Sequence, residues 1–176
     1  MPMIMPDGPT LAPQQRDLIR KETIVNTLAT AVIAVLLTWL IFHGRETIQV
    51  FDAPPYGLFG ILPGTFNFTL LVTLALTLIT RARVRRGQVE HLDRVQTPSL
   101  IAALPVNVVL RALTLALSAV VFLASLTFGV VWLLIRAGLL PPQWTFPGIA
   151  ALFLVHFVVL SLLVTPVVVW RALQDH

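Results

Sequence analysis

The sequence contains no cysteine in 176 residues and carries little charge. The missing thiols exclude disulfide bonds, thiolate metal ligands and cysteine nucleophiles. Charged residues make up 11% of the chain, whereas soluble domains carry about 25%. A protein with so few charges cannot place most of its surface in water. Hydrophobic residues make up 57% of the chain, which predicts that much of it lies in a membrane.

The apolar runs of the chain lack aspartate and glutamate, which excludes a carboxylate proton relay or a carboxylate metal cage within the bilayer. The chain also has no glycine-rich phosphate loop, no paired carboxylates and no histidine spacing typical of a metal site. A haem held by two histidines would need a second histidine at the depth of His156, and the others lie outside the apolar runs. We therefore expect no enzymatic activity, no cofactor and no metal.

Four apolar runs indicate the fold class, an all-α integral membrane protein with four transmembrane helices. The predicted spans cover about residues 23–42, 63–80, 106–135 and 148–170. A run of about 20 residues forms about 30 Å of helix, which matches the hydrocarbon core of a bilayer. We expect residues 1–20 to form a tail with a short interfacial helix, and residues 21–176 to form the transmembrane domain.

The connection between the first two spans, residues 43–62, contains prolines and glycines that prevent a regular helix. It is nevertheless too apolar for a free loop, because Val50, Phe51 and Leu58 lie within it. We expect this connection to lie on the membrane surface or to dip into it.

A cluster of four arginines, Arg81, Arg83, Arg85 and Arg86, follows the second span. Ten basic residues fall on the side of this cluster and only Arg45 and Arg136 on the other, if the chain crosses four times. This asymmetry predicts that both termini are cytoplasmic. The expected partners of the protein are the lipid bilayer and, at the arginine cluster, anionic lipid head groups. The arginines flank apolar spans rather than a groove-reading element, so nucleic acid is not expected.

Arg111 lies near the start of the third span and Arg136 directly follows it, with 24 uncharged residues between the two arginines. That distance is about 36 Å along a helix, so we expect both side chains to reach opposite interfaces.

Arginine supplies all but one of the basic residues, which suggests a GC-rich bacterial genome and hence the inner membrane of a bacterium. We expect no cleaved signal peptide, because the first apolar run starts late and is followed by no small-residue cleavage site.

A weak internal repeat is visible in the sequence. Val25-Asn26 and Val106-Asn107 open the first and third spans, and Pro63-Gly64 and Pro147-Gly148 open the second and fourth. A true repeat would relate two parallel halves of two helices each, about an axis along the membrane normal. Chance similarity between apolar helices is the alternative.

Threonines recur at every fourth position of the second span, at Thr65, Thr69, Thr73 and Thr77. This spacing places them on one face of a helix. The face predicts close packing against another helix, in which each hydroxyl can bond to its own backbone. The alternative is a polar lining for a transport pathway.

His156 is the one titratable side chain deep within a predicted span. Such residues are functional candidates by default, because a charge in the bilayer is energetically unfavourable. We expect a neutral, structural imidazole bonded to hydroxyls or carbonyls; the alternative is a role in transport.

Two functions follow from these features. The first is a non-catalytic small multi-pass membrane protein, acting as a subunit or accessory of a membrane complex or as a self-associating bundle. The second is a small oligomeric transporter or channel that uses the threonine face and His156.

Overall fold

A computed structural model describes residues 11–51, 57–92 and 98–175 of the chain. Arg94, His176 and residues 1–10, the first half of the predicted amino-terminal tail, lie outside these ranges. The elements, in chain order, are helix α1 (Pro13–Phe42), strand β1 (Ile48–Gln49), a 3₁₀ turn (Gly57–Gly60), helices α2 (Ile61–Arg85), α3 (Ser99–Ala102) and α4 (Val108–Ala119), a π turn (Val120–Ala124), helix α5 (Ser125–Arg136), strand β2 (Gln143–Trp144) and helix α6 (Phe146–Ala172).

Four helical segments are long and apolar enough to cross a membrane, which confirms the predicted number of spans within the described residues. The third segment consists of α4, the π turn and α5 in one continuous run. The predicted interfacial helix is the first part of α1, which starts at Pro13, a favoured residue at the first helical position. α2 continues to Arg85, five residues beyond the predicted end of the second span at residue 80. Arginine is a good helix former and prolongs the helix beyond its apolar part.

The four segments form a bundle in which α6 has the central position. α1 packs against α6, and α2 packs against both α4 and α6. One end of the bundle collects the start of α1, the end of α2, the start of α4 and the end of α6, and we call it the basic end. There the Gln15 side chain donates to the carbonyls of Glu90 and His91, and the Leu92 amide donates to the Leu173 carbonyl.

The other end, which we call the opposite end, is closed by the connection between α1 and α2 and the connection between α5 and α6. β1 and β2 pair antiparallel, with Ile48 opposite Trp144, and the Val50 amide donates to the Pro142 carbonyl. Ile48, Val50 and Leu58 are buried. The apolar residues of the first connection therefore pack against the protein itself.

α1 is held to α6 by a polar contact in the half of the span nearer the basic end. The Asn26 side chain donates to the hydroxyls of Ser161 and Thr165, and Thr27 shares a hydrogen bond with Ser161. Asn107, its counterpart in the predicted repeat, instead caps the start of α4 by accepting from the amides of Val109 and Leu110. The two asparagines therefore have different structural roles.

The π turn lies in the middle of the third segment. The Ser125 hydroxyl donates to the carbonyl of Val120, five residues earlier. A regular helix would place Ala124 about 80° around the axis from Ala116, and one extra residue in a wide turn reduces this angle to about 20°. The π turn therefore keeps both buried alanines, Ala116 and Ala124, on the same inner face.

Candidate functional site

The threonine face of α2 lies inside the bundle, as predicted. Thr65, Thr69, Thr73 and Thr77 are completely buried, and Thr80 extends the series by one position. α2 contacts α4 and α6, and the buried Ala112 and Ala116 of α4 are small enough to permit close approach. Leu76 of the same helix is also buried, to 93%, and lies in an apolar cluster with Leu160 and Val164.

His156 joins three of the four segments through its ring nitrogens. Its Nε2 lies 2.8 Å from the hydroxyl of Thr65 on α2, and its Nδ1 lies 2.9 Å from the hydroxyl of Thr127 on α5. The side chain is buried, and the Phe157 ring packs edge-on against the imidazole at 5.2 Å between centroids. The predicted partners of His156, hydroxyl groups, are thus the observed ones.

The hydrogen bonds around His156 assign one neutral tautomer. The Thr127 hydroxyl donates its proton to the Leu123 carbonyl at 3.0 Å, so its oxygen is left to accept a proton from Nδ1–H. Nε2 then accepts from the Thr65 hydroxyl. Every group in this chain of hydrogen bonds is satisfied with an uncharged ring.

The hydroxyl of Thr65 is hydrogen-bonded to His156, whereas the hydroxyls of the other buried threonines of α2 are not hydrogen-bonded to any described residue. Within the described ranges, the hydroxyl oxygens of Thr69, Thr73, Thr77 and Thr80 are buried without a hydrogen-bond partner. From Thr65 to Thr80 this series extends over about 22 Å of helix. It begins at His156 and ends next to Arg81, at the basic end.

Asp175 is the centre of a buried ionic cluster at the basic end. Arg111 contacts both of its carboxylate oxygens, with Nη2 donating to Oδ1 at 2.9 Å and Nη1 at 2.8 Å from Oδ2. Arg81 donates to Oδ2 from Nε at 3.0 Å, and the Arg171 Nη1 lies 3.5 Å from Oδ1. The side chains of Arg111, Arg171 and Asp175 are each 2% exposed or less.

Three backbone carbonyls and the side-chain oxygen of Gln174 supply further acceptors to this ionic cluster. Arg111 donates to the carbonyls of Pro105 and Val106, and Arg171 donates to the carbonyl of Leu104. The ionic cluster therefore ties α2, α4, α6 and the segment before α4 together.

The prediction that Arg111 reaches the membrane interface was wrong, because Asp175 and these carbonyls hold its guanidinium inside the protein. Arg136, in contrast, is exposed, with its guanidinium carbon 5.5 Å from the centre of the Trp132 ring.

The four arginines that follow the second predicted span fall into two pairs. Arg81 binds Asp175 and Arg83 binds Glu22 of α1, so each joins α2 to another helix. Arg85 and Arg86 are exposed and available to lipid head groups or water. Only the second pair is therefore a surface charge cluster.

No group of three or more histidine, aspartate or glutamate side chains within the described residues is placed to hold a metal ion. Sequence reasoning identified His156 but missed Thr127 and Asp175. Thr127 carried no signal, since its contact depends on the fold of α5 against α6. Comparison with protein-family models, with curated proteins and with solved structures finds no match for this chain.

Proposed function

We propose that this chain is a non-catalytic multi-pass membrane protein that acts as a subunit or accessory of a larger membrane complex, or that associates with itself. The observation that supports this most is the state of His156. Both ring nitrogens are bonded to Thr65 and Thr127, and the side chain is 97% buried. A histidine so enclosed holds three helices together and has no free nitrogen for proton transfer or ligand binding.

The exposed surface of α1 supports an association role. α1 packs along α6 and leaves large apolar side chains exposed on its remaining faces, among them Leu28 and Leu36. Lipid can cover such a surface, and so can an apolar helix of another protein. In either case the surface requires a membrane.

Isolation in a mild detergent followed by identification of bound proteins tests the association. We expect a partner in fixed proportion, or a homo-oligomer of defined size, and no solute or proton flux after reconstitution in liposomes. Liposomes prepared in the same way without the protein give the background flux. A monomer without partners at every detergent concentration would contradict the proposal.

A transporter or channel is the second candidate, and the buried hydroxyls favour it. Thr69, Thr73, Thr77 and Thr80 have no hydrogen-bond partner among the described residues and connect the region of His156 with that of Arg81. Buried polar groups without partners are rare, and water or a passing ion could satisfy them. Flux that is lost in Thr73→Val, which keeps the shape but removes the hydroxyl, would support this candidate against the first.

We further propose that the basic end is cytoplasmic and that the membrane is the inner membrane of a bacterium. The described basic residues concentrate at that end, which agrees with the positive-inside rule. Arg85 and Arg86 test the orientation best, because they are exposed and their replacement leaves the pairs of Arg81 and Arg83 intact. Changing both to glutamine should give a mixed orientation, whereas a uniform orientation would weaken the proposal.

A further inference from the structure

A groove at the opposite end of the bundle combines an aromatic wall with a single cation. It has a volume of about 620 Å³ and is lined by Phe51, Phe128, Trp132, Ile135 and Arg136. Sites for small molecules typically enclose about 300–1,000 Å³, so the groove is large enough for a ligand. None of these residues takes part in the contacts of His156 or Asp175.

The wall of the groove is built from aromatic rings that pack on one another. Phe128 of α5 is contacted edge-on by Phe51 and by Phe59, each at 5.3 Å between ring centroids. Phe51 follows β1 and Phe59 belongs to the 3₁₀ turn, so the first connection and the third segment build the groove together. Offset and edge-on aromatic pairs of this kind stabilise a fixed geometry.

Arg136 gives the groove a charge at its mouth. It is the last residue of α5, it is exposed, and its guanidinium lies over the ring of Trp132. Within the part of the chain that the structure describes, no carboxylate lies within 4.0 Å of it. Tryptophan and arginine at the end of a membrane span lie at the level of the lipid head groups.

From this arrangement we propose that the groove binds one anionic phospholipid, with its phosphate on Arg136 and an acyl chain along Phe128 and Trp132. Charge complementarity selects an anionic head group, because a zwitterionic head group adds a cation of its own near Arg136, whereas an anionic one does not. Arg136 can also donate two parallel hydrogen bonds to the phosphate. The aromatic wall accommodates the acyl chain, because its packed rings offer an apolar surface along which the chain makes many van der Waals contacts. The position at the end of a span places the phosphate at the level of the lipid head groups and the acyl chain in the hydrocarbon core.

Bromine on an acyl chain quenches tryptophan fluorescence on contact and provides a direct test. The full chain would be prepared with Trp132 as its only tryptophan and, as a matched control, with Trp39 as its only tryptophan. Both are exposed, at 42% and 54%, and both lie toward the opposite end of the bundle. Each variant would be placed in phosphatidylcholine bilayers that contain a small fraction of brominated phosphatidylglycerol, and its folding would be checked by circular dichroism.

We expect the quenching of Trp132 to correspond to a local phosphatidylglycerol fraction about fivefold above the bulk fraction. One arginine near a membrane surface favours anionic lipid by about that factor. Trp39 should be quenched in proportion to the bulk fraction. Arg136→Gln should remove the enrichment, whereas Arg45→Gln, a change of another exposed arginine at the same end, should not.

Equal quenching of Trp132 and Trp39 would overturn the proposal. So would quenching of Trp132 by brominated phosphatidylcholine that equals its quenching by brominated phosphatidylglycerol. Enrichment that persists in Arg136→Gln would overturn it as well. If a single-tryptophan variant does not fold, native mass spectrometry of the unmodified chain provides the second measurement. One retained phosphatidylglycerol that is lost in Arg136→Gln supports the site, whereas a lipid retained equally in both contradicts it. Glycerol phosphate added as a soluble competitor should not displace the lipid, because the acyl chain supplies most of the contact.

Discussion

Replacing Asp175 by asparagine should destabilise the bundle more than any other single change of a charged residue at its basic end. The carboxylate is the only acid bonded to Arg81, Arg111 and Arg171 among the described residues. Asparagine keeps the shape and one acceptor oxygen but removes the negative charge. Three arginines would then lie close together without a negative charge, and their acceptors among the described residues would be the asparagine oxygen, backbone carbonyls and Gln174.

The size of the effect follows from burial. Removing one partner of a buried ion pair costs about 3–5 kcal/mol, because the remaining charge is left uncompensated. The Arg81 side chain is 20% exposed and can relax toward water, so we expect a value near the lower limit. A loss of about 3 kcal/mol corresponds to a decrease in Tm of about 6–12 °C for a chain of this size.

Thermal unfolding in a mild detergent measures this loss, with the tryptophan fluorescence as the signal. Asp17→Asn, a change of an exposed aspartate near the start of α1, is the matched control and should leave Tm nearly unchanged. A decrease for Asp175→Asn no larger than that for Asp17→Asn would refute the reasoning, since the ionic cluster would then contribute nothing to stability.

Three further predictions concern the interior of the spans, and thermal unfolding in the same detergent checks each. Thr73→Leu should destabilise by about 1–3 kcal/mol through overpacking, while the matched change Ala75→Leu, on the exposed face of α2, should have little effect. Equal effects would contradict the close packing of the threonine face. Leu76→Ala should destabilise by about 2 kcal/mol or more, because it opens a cavity in a buried apolar cluster; an unchanged Tm would contradict its burial. His156→Gln should be tolerated, because glutamine can donate and accept, whereas His156→Leu should lose about 1–2 kcal/mol with its two hydrogen bonds. The structural role would be refuted if glutamine abolished a flux while Tm stayed unchanged.

The spans could be predicted from the sequence because a bilayer requires mostly apolar side chains along the whole length of a spanning segment. Each predicted span agrees with an observed helix to within a few residues at most ends. The largest differences lie where polar and charged residues continue a helix beyond its apolar part, at residues 13–22 of α1 and 81–85 of α2. Hydropathy marks the end of the apolar part of a helix and carries no signal for its polar continuation.

For individual polar residues, the sequence could predict the chemical type of the partner but not which residue supplies it. Hydroxyl partners for His156 followed from the composition of the spans, but the choice of Thr65 and Thr127 depends on how α2 and α5 pack against α6. The burial of Arg111 depends on Asp175, 64 residues away in sequence. Neither the spacing nor the hydropathy around Arg111 indicates that partner, so the residue resembled an ordinary interfacial arginine.

The pairing of the two connections at the opposite end gave no sequence signal either. β1 and β2 have two residues each, too few to show the alternation that identifies a strand. Their pairing becomes possible only because the end of α1 and the start of α6 bring them together.

Labelling of two single cysteines with a membrane-impermeant thiol reagent tests the four-span arrangement most directly. The native chain has no cysteine, so Thr47→Cys and Gln88→Cys each introduce a unique thiol, at an exposed position outside the helices and at opposite ends of the bundle. Gln88 is preferable to Gly87, whose positive φ of 66° would strain any other residue. In intact cells we expect Thr47→Cys to react and Gln88→Cys to react only after the membrane is opened. Equal reaction of both before opening would contradict the arrangement, and reaction of Gln88→Cys alone would reverse its orientation.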